Sequence, residues 1–207
     1  MDLPPLICLV DPDPTTARLL EISGFPVRAY ASPLDLLHVY EPDRPGCVVL
    51  EMMLPEMSGL ALQHLLLERG GRQPVIFVST SANVTDAVKA IKAGAMEFLP
   101  KPCDPELLLQ AVRDAVERDD QQRQQRKRER LERARIESLT DREHEVLGYV
   151  ASGWLNKEIA AEVGISERTV KFHRANLMGK VGAASLADLV RLATETGLGL
   201  RRPPPGV

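Results

Sequence analysis

Cysteine and long apolar runs are both scarce in this chain, and each scarcity narrows what it can be. The three cysteines, Cys8, Cys47 and Cys103, are odd in number and follow no metal-ligand spacing. A disulfide scaffold and a zinc module are thereby set aside. Buried free thiols in a reducing compartment are expected, with a Cys8–Cys47 redox pair as the minor alternative. No apolar stretch approaches the roughly 20 residues of a membrane helix, and no basic segment precedes an apolar one at the N-terminus. The expectation is a soluble, cytoplasmic protein with no membrane partner. A glycine-rich nucleotide loop, a Ser-His-Asp order and a metalloprotease motif are also missing, so no enzyme is expected.

What is present is ample for folding. Apolar residues make up 44% of 207, enough for one large or two small cores. The net charge of −3 hides an asymmetry. Residues 1–116 hold nine Lys/Arg against fifteen Asp/Glu, residues 117–137 eight against six, and residues 138–207 nine against eight. An acidic front half thus joins a mildly basic back half, which hints at divided labour.

The front half alternates short β-branched runs with helix-length amphipathic segments. LICLV (6–10), FPVRA (25–29), CVVLE (47–51), VIFVS (75–79) and AMEFL (95–99) predict five strands. Segments near 14–23, 33–40, 58–68 and 84–93 predict helices between them, and a fifth starts at Asp104. Unalternating Val- and Ile-rich strands predict a parallel sheet covered on both faces, an α/β doubly wound domain. Chemistry in such folds gathers beyond the carboxyl ends of the strands. The residues there are Asp11 and Asp13, Glu51, Ser79 and Lys101.

Residues 117–137 contain no Gly or Pro and mix charges at helical spacing. They predict the fifth helix running on as a solvated helical linker, or alternatively a plain charged spacer. From Ser138 onward the pattern is all-α. Thr140 to Glu143 forms a capping box, Gly153 stops the first helix, and Leu155 to Val163 forms a second. Ser166 caps a third helix reaching Val181, and Ser185 with Asp188 caps a fourth. The pair around Gly164-Ile165-Ser166 has helix-turn-helix proportions. On the third helix, at about 100° per residue, Val170, Leu177 and Val181 make a core stripe. The opposite face carries Arg168, Lys171, Phe172, Ala175 and Gly179, with Thr169, Arg174 and Asn176 at its edges. Cations suit phosphates and base acceptors, an apolar side chain suits a thymine methyl, and small residues permit close approach. Lys157, near the start of the preceding helix, suits a phosphate. An ordinary solvated face is the competing reading.

LTDREHEVLGYVASGWLNKEIAAEVGISERTVKFHRANLMGKVGAASLADLVRLA (139–193) resembles the LuxR-type DNA-binding domain, through LTxRExEVL, NKEIA and IS-x-RTVK-x-H. The resemblance implies that Lys171, Phe172 and Ala175 face bases and that the fourth helix supports dimerisation. Residues 5–116 resemble the receiver domain of response regulators of the NarL/FixJ family, through PVIFVSTSANVTDAVKAIKAGAMEFLPKP (74–102) and LPEMSG (54–59). In that family an aspartate ending strand 3 is phosphorylated from a histidine kinase, and an acidic pair after strand 1 holds Mg²⁺. Ser79 and Lys101 match the family's Ser/Thr and Lys, and Phe98 stands where an aromatic changes rotamer on activation.

Two positions depart. Glu51 replaces the phosphoacceptor, and Asp11-Pro12 breaks the acidic pair, leaving Asp13 behind a ring that fixes φ. Mg²⁺ demands near-octahedral oxygen ligands. No cofactor is therefore expected, with Asp11, Asp13 and Glu51 the only candidate Mg²⁺ ligands. Three roles stay open for Glu51: imitating the phosphorylated state, merely satisfying Lys101, or accepting phosphate after all. The expected layout is a receiver (1–117), a helical linker (118–137), a helix-turn-helix domain (138–199) and a disordered tail (200–207). The expected function is transcription regulation, independent of phosphorylation or constitutively biased. Expected partners are double-stranded promoter DNA, RNA polymerase, a second copy of the chain and, where phosphate is accepted, a histidine kinase. An ordinary phosphorylation-switched regulator and a receiver acting mainly as a protein-interaction module are the alternatives.

Overall fold

The computed structural model describes residues 3–81 and 83–195. Two compact units divide the chain, one ending at Gln124 and the other beginning at Gln125. The first alternates strands and helices: β1 (Leu6–Val10), α1 (Pro14–Ile22), β2 (Val27–Tyr30), α2 (Pro33–Val39), β3 (Gly46–Leu50), α3 (Gly59–Glu68), β4 (Val75–Ser79), α4 (Val84–Lys92), β5 (Glu97–Pro100) and α5 (Pro105–Glu137). The strands form one parallel sheet in the order β2-β1-β3-β4-β5. The chain reverses its winding between β1 and β3, which opens a crevice at their carboxyl ends.

Strand periodicity sorts the core into two layers. Cys47 and Val49 pack with Ile7, Leu9, Ile76 and Val78 against Leu20 of α1 and Leu108 and Val112 of α5. Val48 and Leu50 pack with Val10 and Phe77 against Leu36 of α2, Leu62 and Leu66 of α3, and Ala90 of α4. The same periodicity disposes of the Cys8–Cys47 redox pair. Cys8 registers with Val48, and Cys47 with Ile7, so the two thiols belong to opposite faces of the sheet. All three cysteines are free.

Two strands begin two residues later than the apolar runs suggest. The Phe25 N–H turns back to Leu20 C=O, and Pro26 has no N–H to give. Likewise the Ala95 N–H closes the turn after α4 on Ala90 C=O. Side-chain caps open the helices where Asp13, Ser32, Ser58 and Asn83 accept from backbone N–H groups of the first turn.

Helix α5 runs unbroken from Pro105 to Glu137. Past Val116 its apolar stripe ends, yet it remains fastened to the first unit by a polar clamp. Asp119 is buried and accepts from Gly46 N–H (2.9 Å) and Arg123 Nε (2.6 Å). Arg123 also donates to the carbonyls of Asp43 (2.6 Å) and Arg44 (2.5 Å). Position 46 must be glycine, since its φ is +132° and an added Cβ would lie 1.9 Å from Leu6 O.

The second unit holds the end of α5 and four helices: α6 (Asp141–Ala151), α7 (Asn156–Val163), α8 (Glu167–Val181) and α9 (Leu186–Glu195). Their core combines Ile136, Leu139, Val146, Leu147, Ile159, Val170, Leu177, Val181 and Leu189. Thr140 and Glu143 form the full reciprocal capping box of α6. Gly164, at φ +68°, ends α7, and Ser166 caps α8 two residues later. The tail expected at 200–207 and residues 196–199 lie outside the described residues. Among the described residues no helix is long and apolar enough to cross a membrane.

Candidate switch pocket and nucleic-acid interface

The crevice between β1 and β3 collects the charged residues singled out from sequence. Each sits just past a strand end, where the ladder's hydrogen bonds stop and side chains turn toward one point. Lys101 is the centre. Its Nζ lies 2.6 Å from Asp11 Oδ2, 3.4 Å from Glu51 Oε2 and 3.9 Å from Asp13 Oδ2. Asp11, Glu51 and Ser79 are buried, and the Lys101 side chain is 13% exposed.

Glu51 is surrounded by donors. Its Oε1 accepts from Ser79 Oγ (2.6 Å), Met52 N–H (2.7 Å) and Met53 N–H (3.2 Å), and Thr80 N–H reaches Oε2 at 3.1 Å. Burial pushes its carboxyl upward, but Ser79, the backbone N–H groups and Lys101 outweigh it and hold the group below its usual range. Burial likewise pushes Lys101 down, and the hydrogen bond and charge of Asp11, with Glu51 behind them, carry it above its usual value.

Asp11 is saturated too. Its Oδ1 accepts from Asp13 N–H (3.0 Å), and its Oδ2 from Thr16 Oγ1 (2.9 Å) and from Lys101. Asp13 caps α1 through Thr15 N–H (2.9 Å), and that Thr15 bond keeps its carboxyl below the ordinary range. Asp13 is therefore tied to the helix end, and its side chain is 48% exposed.

Receivers generally use Mg²⁺, and the residues here do not fit it. The oxygens of Asp11 and Glu51 already face protein donors, and the Lys101 ammonium stands between the two carboxylates. Among the described residues no three His, Cys, Asp or Glu side chains are grouped to hold a metal ion. Phe98 lies on β5, half-buried, with its ring stacked 6.1 Å from Phe77.

Sequence reasoning did not find Thr16, nor the amides of Met52, Met53 and Thr80. A hydroxyl five residues from its acceptor follows no motif, and backbone donors leave no mark in a sequence. It also missed the turn that follows β3. Glu56 holds φ +71°, and its carboxylate accepts from Ser32 Oγ at 2.7 Å.

On α8, Arg168, Lys171, Phe172, Ala175 and Gly179 are all exposed along one face, while Val170, Leu177 and Val181 are buried on the other. Phe172 is 62% exposed, unusual for a large apolar ring on a small helical unit. Thr169, Arg174 and Asn176 are half-buried at the edges. The Thr169 N–H donates to Ser166 Oγ as part of the cap, and Arg174 Nη1 donates to Asn156 Oδ1 (2.7 Å) at the start of α7. Lys171 pairs with Glu167 at 3.2 Å, with both side chains at least half exposed. Such a pair is worth only about 0.3–0.5 kcal/mol and yields easily to a phosphate or base. Lys157 is exposed at the N-terminus of α7.

A doubly wound acidic receiver-like unit followed by a helix-turn-helix unit defines a DNA-binding response regulator. The comparisons agree. Residues 7–113 match the response regulator receiver domain, and residues 137–193 match the bacterial regulatory proteins of the luxR family. The chain is 40% identical over 191 residues to the response regulator protein TmoT of Ectopseudomonas mendocina, covering 90% of this chain and 87% of that one. It is 40% identical over 182 residues to the transcriptional regulatory protein FixJ of Azorhizobium caulinodans, covering 88% and 86%. The solved response regulator StyR superposes with a TM-score of 0.85 at 36% identity, covering 93% of this chain and all of that one. The chain belongs to the NarL/FixJ family of two-component response regulators, which are DNA-binding transcriptional regulators and not enzymes.

Proposed function

We propose that this regulator controls transcription without needing phosphoryl transfer, because a carboxylate of its own fills the switch pocket. One observation carries the reading: Ser79 Oγ, Thr80 N–H and Lys101 Nζ all turn onto Glu51. These are donors of the kind that would meet the oxygens of an acyl phosphate, and they are already satisfied. A carboxylate held there favours the conformation that makes the same bonds, which biases a two-state receiver toward it. Asp11, Asp13 and Phe98 complete the pocket, and Mg²⁺ has no part in it.

The layout in this reading is a receiver over 1–117, a helical linker over 118–137 and a DNA-binding domain over 138–199. It acts as a homodimer on a two-fold promoter site, with RNA polymerase as its downstream partner. Lys171, Phe172 and Ala175 of α8 read bases. Arg168, Thr169, Arg174, Asn176 and Lys157 hold phosphates.

Binding to a promoter fragment, measured with and without acetyl phosphate and Mg²⁺ and paired with intact mass, tests the proposal. Specific binding is expected to be the same in both conditions, with no phosphoryl adduct. A stoichiometric adduct on Glu51, or specific binding only after treatment, would establish an ordinary phosphorylation-switched regulator instead. The family's kinase partner would then act here as well.

A further inference from the structure

The part of α5 that belongs to the second unit carries six Lys/Arg (126, 127, 128, 130, 133, 135) against three Asp/Glu (129, 132, 137), a net of +3. Three of the cations are Arg126, Arg130 and Arg133, at spacing i, i+4, i+7. At about 100° and 1.5 Å per residue they fall within roughly 60° of one another and span roughly 10 Å. Lys127 flanks them, and Glu137 is the one acid whose position falls on that face, at its far end.

Most other charged side chains of this helix have a partner and these do not, although Arg118, Glu132 and Glu137 also stand without one among the described residues. Arg123 is bound to Asp119, Arg128 to Gln125, and Arg135 reaches the Val181 carbonyl. Glu129, the acid best placed to neutralise the stripe, instead accepts from Gln125 Nε2 at 2.8 Å. Among the described residues, Arg126, Lys127, Arg130 and Arg133 make no ion pair or hydrogen bond. Lys127, Arg130 and Arg133 are exposed, and Arg126 is half-buried.

The stripe is fixed to the same core as α8. Ile136, three residues beyond Arg133, is buried among Val146, Val170 and Leu177, and Arg135 meets the carbonyl that ends α8. A row of unpaired guanidinium groups, rigidly joined to a DNA-binding helix, suits a linear polyanion. Duplex DNA offers one phosphate charge per about 1.7 Å of axis, so several lie within the length of the row. An acidic protein surface would have no such regular spacing.

We infer that Arg126, Arg130 and Arg133 of α5 form a second, sequence-independent DNA contact, made to phosphates flanking the site read by α8. The inference rests on the DNA-binding reading above and adds to it a contact outside the helix-turn-helix. It is tested with the full chain, by anisotropy on a promoter duplex with flanks of about one helical turn, across a salt series. Arg126→Gln/Arg130→Gln/Arg133→Gln keeps helix propensity, and Arg130→Gln alone is the milder companion. Each neutralised phosphate contributes about 0.9 to the slope of log K on log salt. The triple variant is expected to be shallower by about 2.7 and the single by about 0.9. Trimming the duplex to the helix-turn-helix footprint should abolish the difference from wild type.

A wild-type slope in both variants on flanked DNA overturns the stripe and leaves the α8 reading standing. So does normal DNA binding coupled with lost transcription, which would assign the stripe to an acidic protein partner. Lys171→Ala separates the two contacts, since it should lower specific over non-specific binding while keeping the flank-dependent slope. If wild type shows no salt-dependent DNA binding, both readings fall together.

Discussion

Lys101 decides the electrostatics of the pocket, because the buried carboxylates of Asp11 and Glu51 share its ammonium. Lys101→Met leaves both carboxylates without their cation, and removing one partner of a buried pair typically costs about 3 kcal/mol. Urea unfolding at pH 7 is expected to show that loss. The pH response should also shift. In wild type the Glu51 carboxyl is held below its usual value, so its contribution is full above about pH 4.5 and fades as pH falls through the lowered value. In the variant Glu51 keeps its bonds from Ser79, Met53 and Thr80 but loses the Lys101 charge, so its carboxyl is held down less and its contribution should fade at a higher pH than in wild type. Coincident pH profiles in the two proteins would show that the Lys101 charge does not act on Glu51. This site was half legible in the sequence. Strand ends followed by Glu51, Ser79 and Lys101 located it, because sheet topology brings such ends together. The donors that saturate it were hidden, since Thr16 and three backbone amides are defined by turn geometry, not residue type.

At the scale of elements, helices were easier to place than what joins them. The Thr140–Glu143 box announced α6, but its carboxylate also accepts from Lys180 Nζ at 2.6 Å, 37 residues along the chain. No local pattern signals that bond. The α5 clamp is a similar case: Asp119 and Arg123 read as charges in a solvated linker, yet Asp119 is buried beneath Gly46. The Lys180 hydrogen bond, with the Thr140 N–H, holds the Glu143 carboxyl down to about 2. A depressed carboxyl stabilises above its unfolded value of 4.5, and the benefit drains away as pH falls toward 2. Glu143→Gln should therefore cost about 1–2 kcal/mol at pH 7, moderated by solvent at Lys180, and flatten the dependence between pH 4.5 and 2. Acid titration followed at Trp154, packed 4.9 Å from Tyr149, reads the second unit directly. An unchanged acid midpoint in the variant would remove Glu143 as the cause.

At the scale of the whole molecule, the charge asymmetry and the change from β/α alternation to pure helix mark two units in the sequence itself. They could not say that one helix, α5, serves both. Its first turns put Leu108 and Val112 into one core, and its last puts Ile136 into another. The two cores share no residue, so the helix backbone is the covalent link between them. Cooperativity of unfolding follows shared burial, and a solvated helical segment with little apolar surface transmits little of it. Two transitions are therefore expected in urea. The single tryptophan, Trp154, belongs to the second unit, whereas far-ultraviolet dichroism sees both. Lys101→Met should move the early or late part of the dichroism curve and leave the Trp154 curve in place. Glu143→Gln should displace the Trp154 curve alone. If either substitution shifts both probes equally, the units unfold as one body and α5 couples them energetically, which would also give the pocket a direct mechanical route to the DNA-binding face.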